Sequence, residues 1–273
     1  MLELRLTRSD PSPGGKSVPE VPLDAQVWRD RQGVRRMSGF TTDGEHWLHM
    51  SEIPASFRFT ERDGWIEAFA ADGTDEATIE DAYRRCALPF ALQAQGHELL
   101  HASAVEMNRG AFAFCGGSRV GKSTTAATLA KRGHRPLADD ALLWESVNGT
   151  IEVRLLPFAL WLIQGGENGD RSKQPENVEG DLDRRVPLAA VFVLEPDVDV
   201  RGDPQVVPLP GQEAFSLLLY HAHCFSFTNE ERRRNMLERY LELSAAVPTF
   251  RVRYRPEWDA QPGLLDAIQR IDR

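Results

Sequence analysis

The sequence predicts an α/β domain, residues 96–273, built around a glycine-rich loop and preceded by a smaller β-rich (α+β) domain, residues 1–95. Three observations carry that expectation. The octapeptide Gly116-Gly117-Ser118-Arg119-Val120-Gly121-Lys122-Ser123 is one, the apolar run Ala111 to Cys115 directly before it is the second, and the Ala, Thr and Leu at helical spacing directly after it are the third. A strand that delivers the chain into a glycine loop and a helix that leaves it form one α/β unit.

In chain order, Asp10 to Pro22 is rich in Pro, Gly and Ser. Short runs such as His46 to Met50 and Phe57 to Phe59 follow, separated by the turn pairs Asp43-Gly44 and Asp63-Gly64, so the first third reads as β-rich. From Asp75 to about Gln95 the apolar positions fall near helical spacing, with Pro89 expected to kink or divide the helix that bridges the two domains. Glu98 to Val105 and Ala111 to Cys115 are two apolar runs around Asn108-Arg109-Gly110, which predicts a hairpin. Thr124 to Arg132 predicts a helix ended by Gly133, a residue suited to the left-handed cap.

His134 to Asp140 reads as a short strand ending in two carboxylates, and Pro187 to Leu194 as a buried strand. Between them, Gln164 to Arg185 is polar and Gly-rich, which predicts a mobile loop that either covers a site or is simply disordered. Near the end, Thr228-Asn229-Glu230-Glu231 predicts a capping box ahead of a helix carrying Met236, Leu237, Tyr240, Leu241 and Val247. Arg232, Arg233 and Arg234 are expected on its solvated face, with a phosphate- or peptide-contacting arginine as the alternative. His221, His223 and Cys224 are too close together to serve as three metal ligands on a helix.

With 273 residues the chain can bury a substantial core without disulfides or metals. Lys and Arg total 32 against 41 Asp and Glu, a formal charge of −9, which argues against a nucleic-acid footprint or a membrane-surface patch. Three cysteines without metal-type spacing, Cys86, Cys115 and Cys224, fit a reducing compartment, so the cytoplasm is expected. No long apolar run suggests a signal peptide or a transmembrane helix. Homo-oligomerisation is left open by the sequence.

The octapeptide satisfies G-x-x-x-x-G-K-[ST], a pattern expected by chance in roughly 1% of chains this long. Its glycines let the backbone wrap closely and aim N–H groups inward at a phosphate. Lys122 supplies a point charge to the terminal phosphates, Ser123 offers a hydroxyl to Mg²⁺, and the helix that continues through Thr124 adds its N-terminal partial charge. Arg119 stands where many such loops have a small residue, so its side chain must point away from the phosphates or contact them.

Two flanking segments narrow the chemistry. His101-Ala-Ser-Ala-Val105-Glu106 opens a strand pair ahead of the loop, and Lys131-Arg-Gly-His-Arg135-Pro-Leu-Ala-Asp139-Asp140 follows its helix. Together with the loop they resemble the catalytic core of bacterial HPr kinase/phosphorylase, whose pattern is a histidine-led strand, a GxSGxGKS loop and RGHxLVADD. The resemblance spans His101 to about Leu143. It implies that Lys122 and Ser123 hold phosphates and metal, that His101 sits near the transferred phosphoryl group, and that Asp139 activates the acceptor hydroxyl. Asp140 would support the metal or its surroundings. Read without the family, Asp139-Asp140 is also compatible with a metal-holding pair that has no base role, and His101 with an ordinary core histidine.

The family's second signature, a glycine-rich stretch near EIRGLGI, is replaced here by Ile151-Glu-Val-Arg154-Leu-Leu-Pro157-Phe-Ala-Leu160; by the resemblance, Glu152 is the candidate to replace the family's metal-binding glutamate. The resemblance therefore points to the HPr-kinase-related proteins found beside peptide-modifying enzymes. It implies a kinase using ATP and Mg²⁺ to phosphorylate a hydroxyl, foremost serine of a peptide or protein. A small-molecule kinase and a nucleotide-binding switch or ATPase acting on a partner are the alternatives, and the choice among ATP, GTP and pyrophosphate is open.

Overall fold

In the computed structural model of the chain, residues 2–8, 18–30, 32–165, 171–178, 181, 183–224, 229–257 and 261–272 are described. The chain divides into two compact units, Met1–His97 with Cys224–Glu230, and Glu98–His223 with Glu231–Arg273. No helix among the described residues is long and apolar enough to cross a membrane.

The first unit is a six-stranded sheet of β1 (Glu3–Arg8), β2 (Gln26–Arg29), β3 (Arg35–Thr42), β4 (Glu45–Met50), β5 (Ala55–Phe59) and β6 (Trp65–Ala70), in the order β1-β6-β5-β4-β3-β2. Asp43 and Gly44 both have positive φ, 51° and 76°, the backbone that closes a two-residue hairpin between β3 and β4. Trp47 and Phe69, 5.3 Å apart between ring centroids, pack with Phe40 beneath the sheet. Asp75 caps α1 (Glu76–Ala82) by accepting from the Thr78 N–H at 2.9 Å. A π-helical turn, Tyr83–Ala87, then leads into α2 (Leu88–Ala94). Pro89 has no N–H to give to residue 85, and the wide turn sits directly before it, so the expected division of the helix takes this form.

The second unit carries β7 (Glu98–Leu100), β8 (Ala102–Met107), β9 (Gly110–Cys115), α3 (Lys122–Lys131), β10 (Arg135–Ala138), β11 (Leu142–Val147) and β12 (Thr150–Arg154). It continues with β13 (Phe158–Gly165), β14 (Arg171–Val178), β15 (Arg185–Pro196), β16 (Gln205–Pro208), α4 (Gly211–Tyr220), α5 (Glu230–Ala246), β17 (Thr249–Tyr254) and α6 (Gln261–Ile271). Its main sheet runs β10-β8-β9-β15-β12-β11-β7, with β17 beside β15 and β16 beside β17. The long β15 makes this branching geometry. Its first residues pair antiparallel with β12, and its later ones lie parallel to β9 on one side and β17 on the other. Phe112 and Phe114 of β9 pack on Phe192 of β15, and Ala126 and Leu129 of α3 share that core with Leu264, Leu265 and Ile268 of α6. The helix leaving the loop is thereby fixed to the sheet that enters it.

Three expectations need correction. The run Glu98–Val105 is not one strand: it breaks at His101, because β7 pairs with β11 whereas β8 pairs with β9 and β10. Much of Gln164–Arg185 is a β-hairpin rather than a loop, since β14 pairs with β13 from Arg171↔Gly165 to Val178↔Phe158. Backbone pairing needs no apolar side chains, which is why a polar composition concealed the strand. Residues 166–170, 179, 180 and 182 of that stretch lie outside the described residues, as does Thr228 of the expected capping box. Finally, Arg232 is buried rather than solvated: its guanidinium lies 2.7 Å from Glu98 Oε1, itself fully buried. Arg233 and Arg234 are exposed.

Candidate active site

The glycine loop leaves the C-terminal end of β9 beside β15 and enters α3. Gly116 has φ 147°, and a Cβ there would lie 2.6 Å from Val120 Cγ2 and 2.9 Å from the Leu194 carbonyl oxygen. Only glycine permits that close passage over β15. Gly121, with φ 96°, is the N-cap residue of α3 and offers no side chain to cap it, which leaves first-turn N–H groups for a ligand. Arg119 occupies the left-handed region at φ 63° with its residue exposed, as Ser118 is; Gly117, Ser123 and Thr124 are half-buried. The Tyr254 hydroxyl, on β17, donates to the Val120 carbonyl and pins the loop from the far side. Burial pushes that phenol up to about 12, so it remains a donor.

Lys122 opens α3 and is buried, 6% exposed. Its ammonium donates to the carbonyls of Gly116 at 3.0 Å and Gly117 at 3.3 Å, and lies 3.0 Å from Nε2 of His101. Since an ammonium can only donate, His101 Nε2 accepts, and the ring proton sits on Nδ1, which donates to the Asp140 carbonyl at 3.1 Å. Burial, and next the Lys122 charge, push the His101 imidazole down to about 3, so it is neutral at ordinary pH. His221 is pushed down to about 4 by the same two causes.

Asp139 and Asp140 follow β10, the strand beside β8 at the edge of the sheet. Asp139 is buried and its Oδ1 accepts from the Ser103 hydroxyl at 2.6 Å. Asp140 turns the chain with φ 65°, a conformation that aspartate tolerates better than most residues. Its carbonyl accepts from His101 and also from Nε2 of His223, 3.1 Å away. His101, Lys122 and the Asp139-Asp140 corner thus form one connected cluster next to the loop.

Glu152 lies elsewhere in the described contacts. On β12 it faces Glu145 across the strand pair, and Arg185 Nη1 reaches both carboxylates, at 3.7 Å and 2.8 Å. Among the described residues no group of three or more His, Cys, Asp or Glu side chains is arranged to hold a metal ion. The hard oxygen donors close to the loop are the Ser123 hydroxyl and the aspartate corner. Such a set suits Mg²⁺, which is ordinarily held by one or two protein oxygens together with substrate phosphates and water.

The sequence pattern gave Ser103 no role, weighed His223 only as a metal ligand, and did not pair Glu98 with Arg232. Ser103 carried no readable signal, since it meets Asp139 only through the pairing of β8 with β10. His223 carried none either, since its partner, the Asp140 carbonyl, sits at a turn remote in sequence. The hairpin of β11 and β12 was also missed, although Asn148-Gly149, with φ 52° and 82°, is a strong two-residue turn signal.

No protein-family model matches the chain, and no curated protein matches it. Among solved structures, the chain is similar to the Hpr(Ser) kinase/phosphatase from Coxiella burnetii, at 12% sequence identity and a TM-score of 0.36, over 63% of this chain and 88% of that one.

Proposed function

We propose that the chain is an ATP- and magnesium-dependent phosphotransferase that passes the γ-phosphoryl group to a hydroxyl, foremost a serine of a peptide or protein. One observation carries the reading: the buried Lys122 ammonium at the mouth of an uncapped helix is tied through His101 to the Asp139-Asp140 corner. Phosphoryl transfer requires a cradle for the phosphates, neutralisation of their charge, and a carboxylate near the attacking hydroxyl. These residues offer all three.

In this reading the N–H groups of Gly121 to Thr124 and the Lys122 ammonium hold the β- and γ-phosphates. Ser123 and Asp140 would hold Mg²⁺, which, when bound, neutralises charge on the phosphate oxygens. Neutral His101 keeps the Lys122 ammonium directed at the loop without adding a second charge. Asp139, held by the Ser103 hydroxyl, accepts the proton of the acceptor hydroxyl. Glu152 remains a proposed metal partner only if it leaves Arg185. The acidic net charge and the three cysteines, none in a disulfide, suit a cytoplasmic enzyme whose acceptor is a peptide or protein rather than a nucleic acid.

The test is a turnover assay with MgATP on the full chain. Candidate hydroxyl-bearing peptides and small molecules are offered in parallel, with melting temperature as the binding readout. Binding should raise the melting temperature by mass action, and a phosphorylated peptide should appear. ATP consumption without a phosphorylated acceptor would favour a nucleotide switch or ATPase, and no thermal shift at millimolar MgATP would defeat the nucleotide assignment.

A further inference from the structure

His223 lies beyond α4, remote in sequence from the loop, yet its Nε2 sits 3.1 Å from the Asp140 carbonyl oxygen. Its backbone N–H donates to the Leu99 carbonyl at 2.9 Å, and the His221 carbonyl accepts from the His101 N–H at 2.7 Å. These two bonds, with the antiparallel bridge Leu100↔Ala222, run 221–223 alongside β7 as a further short strand. The imidazoles of His223 and His101 meet edge to face, 5.8 Å between centroids, and both direct an N–H at one oxygen. A carbonyl has two lone pairs, and here two imidazole donors take them.

The residue so held is the one with left-handed backbone, φ 65°, at the corner that carries the carboxylates. Fixing its carbonyl fixes the peptide plane after Asp140, and with it the direction in which the Asp140 side chain leaves the backbone. We infer that His223 is a positioning residue, which through the Asp140 carbonyl orients the Asp140 carboxylate toward the magnesium of the bound nucleotide; this rests on the phosphotransfer reading above. Its role is to donate a hydrogen bond from Nε2, so only a side chain with an N–H at that reach can replace it. A glutamine amide nitrogen falls near the imidazole Nε2 position, whereas an asparagine amide is too short.

The experiment uses the full-length chain. Long-range ¹H–¹⁵N spectra of the nucleotide-free protein should show His223 as the Nε2–H tautomer and His101 as the Nδ1–H tautomer; the opposite tautomer of His223 would overturn the proposal. Calorimetric binding of a non-hydrolysable ATP analogue is then measured against Mg²⁺ concentration for wild type, His223→Gln and His223→Asn, each checked for a cooperative melt. His223→Gln should stay near wild type, while His223→Asn should need on the order of 10-fold more Mg²⁺ for half-maximal binding, the scale set by losing a partner that orients a metal ligand. Analogue binding without Mg²⁺ should be equal in all three. Equal Mg²⁺ requirements for the two variants, or equal losses without Mg²⁺, would overturn the role of His223 alone. A wild type that binds no nucleotide would overturn the phosphotransfer reading itself, and the role of His223 with it.

Discussion

The hydroxyl of Ser103 donates to Oδ1 of Asp139 across 2.6 Å, and both residues are buried, at 0% and 6% exposed. One lies within β8 and the other just past the end of β10, so the bond depends on the pairing Ala104↔Ala138 between them. Ser103→Ala removes a hydrogen bond to a charged group and should destabilise the protein by about 1.5–3 kcal/mol. In a double-mutant cycle with Asp139→Ala, measured by urea unfolding, the two losses should be coupled rather than additive. Simple additivity would show that the bond contributes nothing.

Asp139→Asn separates proton acceptance from metal holding. If Asp139 takes the acceptor proton, the amide should keep affinity for an ATP analogue within a few-fold while transfer falls by roughly 10²-fold or more. If it holds magnesium instead, both quantities should fall together and recover partly at higher Mg²⁺. Calorimetry and a transfer assay on one preparation decide the matter.

Lys122→Ala should abolish nucleotide-dependent phosphorylation, because it deletes the charge that meets the β- and γ-phosphates. The far-ultraviolet circular dichroism should be unchanged, since α3 is anchored by Ala126 and Leu129 in the core and not by the lysine. Near-normal turnover in this variant would refute the loop assignment.

Arg232 faces fully buried Glu98, whose carboxyl is pushed up from its ordinary range by burial, against the pull of Arg232. Arg232→Met should cost about 3–5 kcal/mol at pH 7.5 by stranding that carboxylate. A carboxyl with a raised folded-state pKa binds its proton more readily folded than unfolded, so the defect should shrink as pH falls toward 5. Adding Glu98→Gln should restore much of the loss, and urea titrations at the two pH values would expose either failure.

Five histidines, His46, His49, His101, His221 and His223, are held below the ordinary value of 6.5, in each case foremost by burial. The folded chain keeps them neutral while the unfolded chain takes up protons, so their contribution is complete above about pH 6.5 and is lost as pH falls toward 4. Glu98 acts in the opposite sense but is a single group. The melting temperature should therefore drop between pH 7.5 and pH 5, and a flat profile would contradict the buried neutral assignment.

The local sequence determined the strand, glycine loop and helix from Ala111 to Arg132, because those features are set by neighbours in the chain. Gly116 and Gly121 supply backbone that other residues resist, and Gly133, with φ 97°, closes α3 by donating its N–H to Ala130 O at 2.9 Å. It also determined the turn at Asp43-Gly44 and the break ahead of Pro89. What only the tertiary structure decided was which distant groups meet. His101 is just a histidine at a strand break until α3 brings the Lys122 ammonium to its Nε2 and the turn after β10 brings the Asp140 carbonyl to its Nδ1. His223 joins them only because its segment pairs with β7, and Arg232 is drawn from an apparently solvated helix face by a buried carboxylate on that same strand. Backbone conformation is chosen within a few residues, whereas these side chains owe their roles to hydrogen-bonding partners that the desolvated interior must supply from anywhere in the chain.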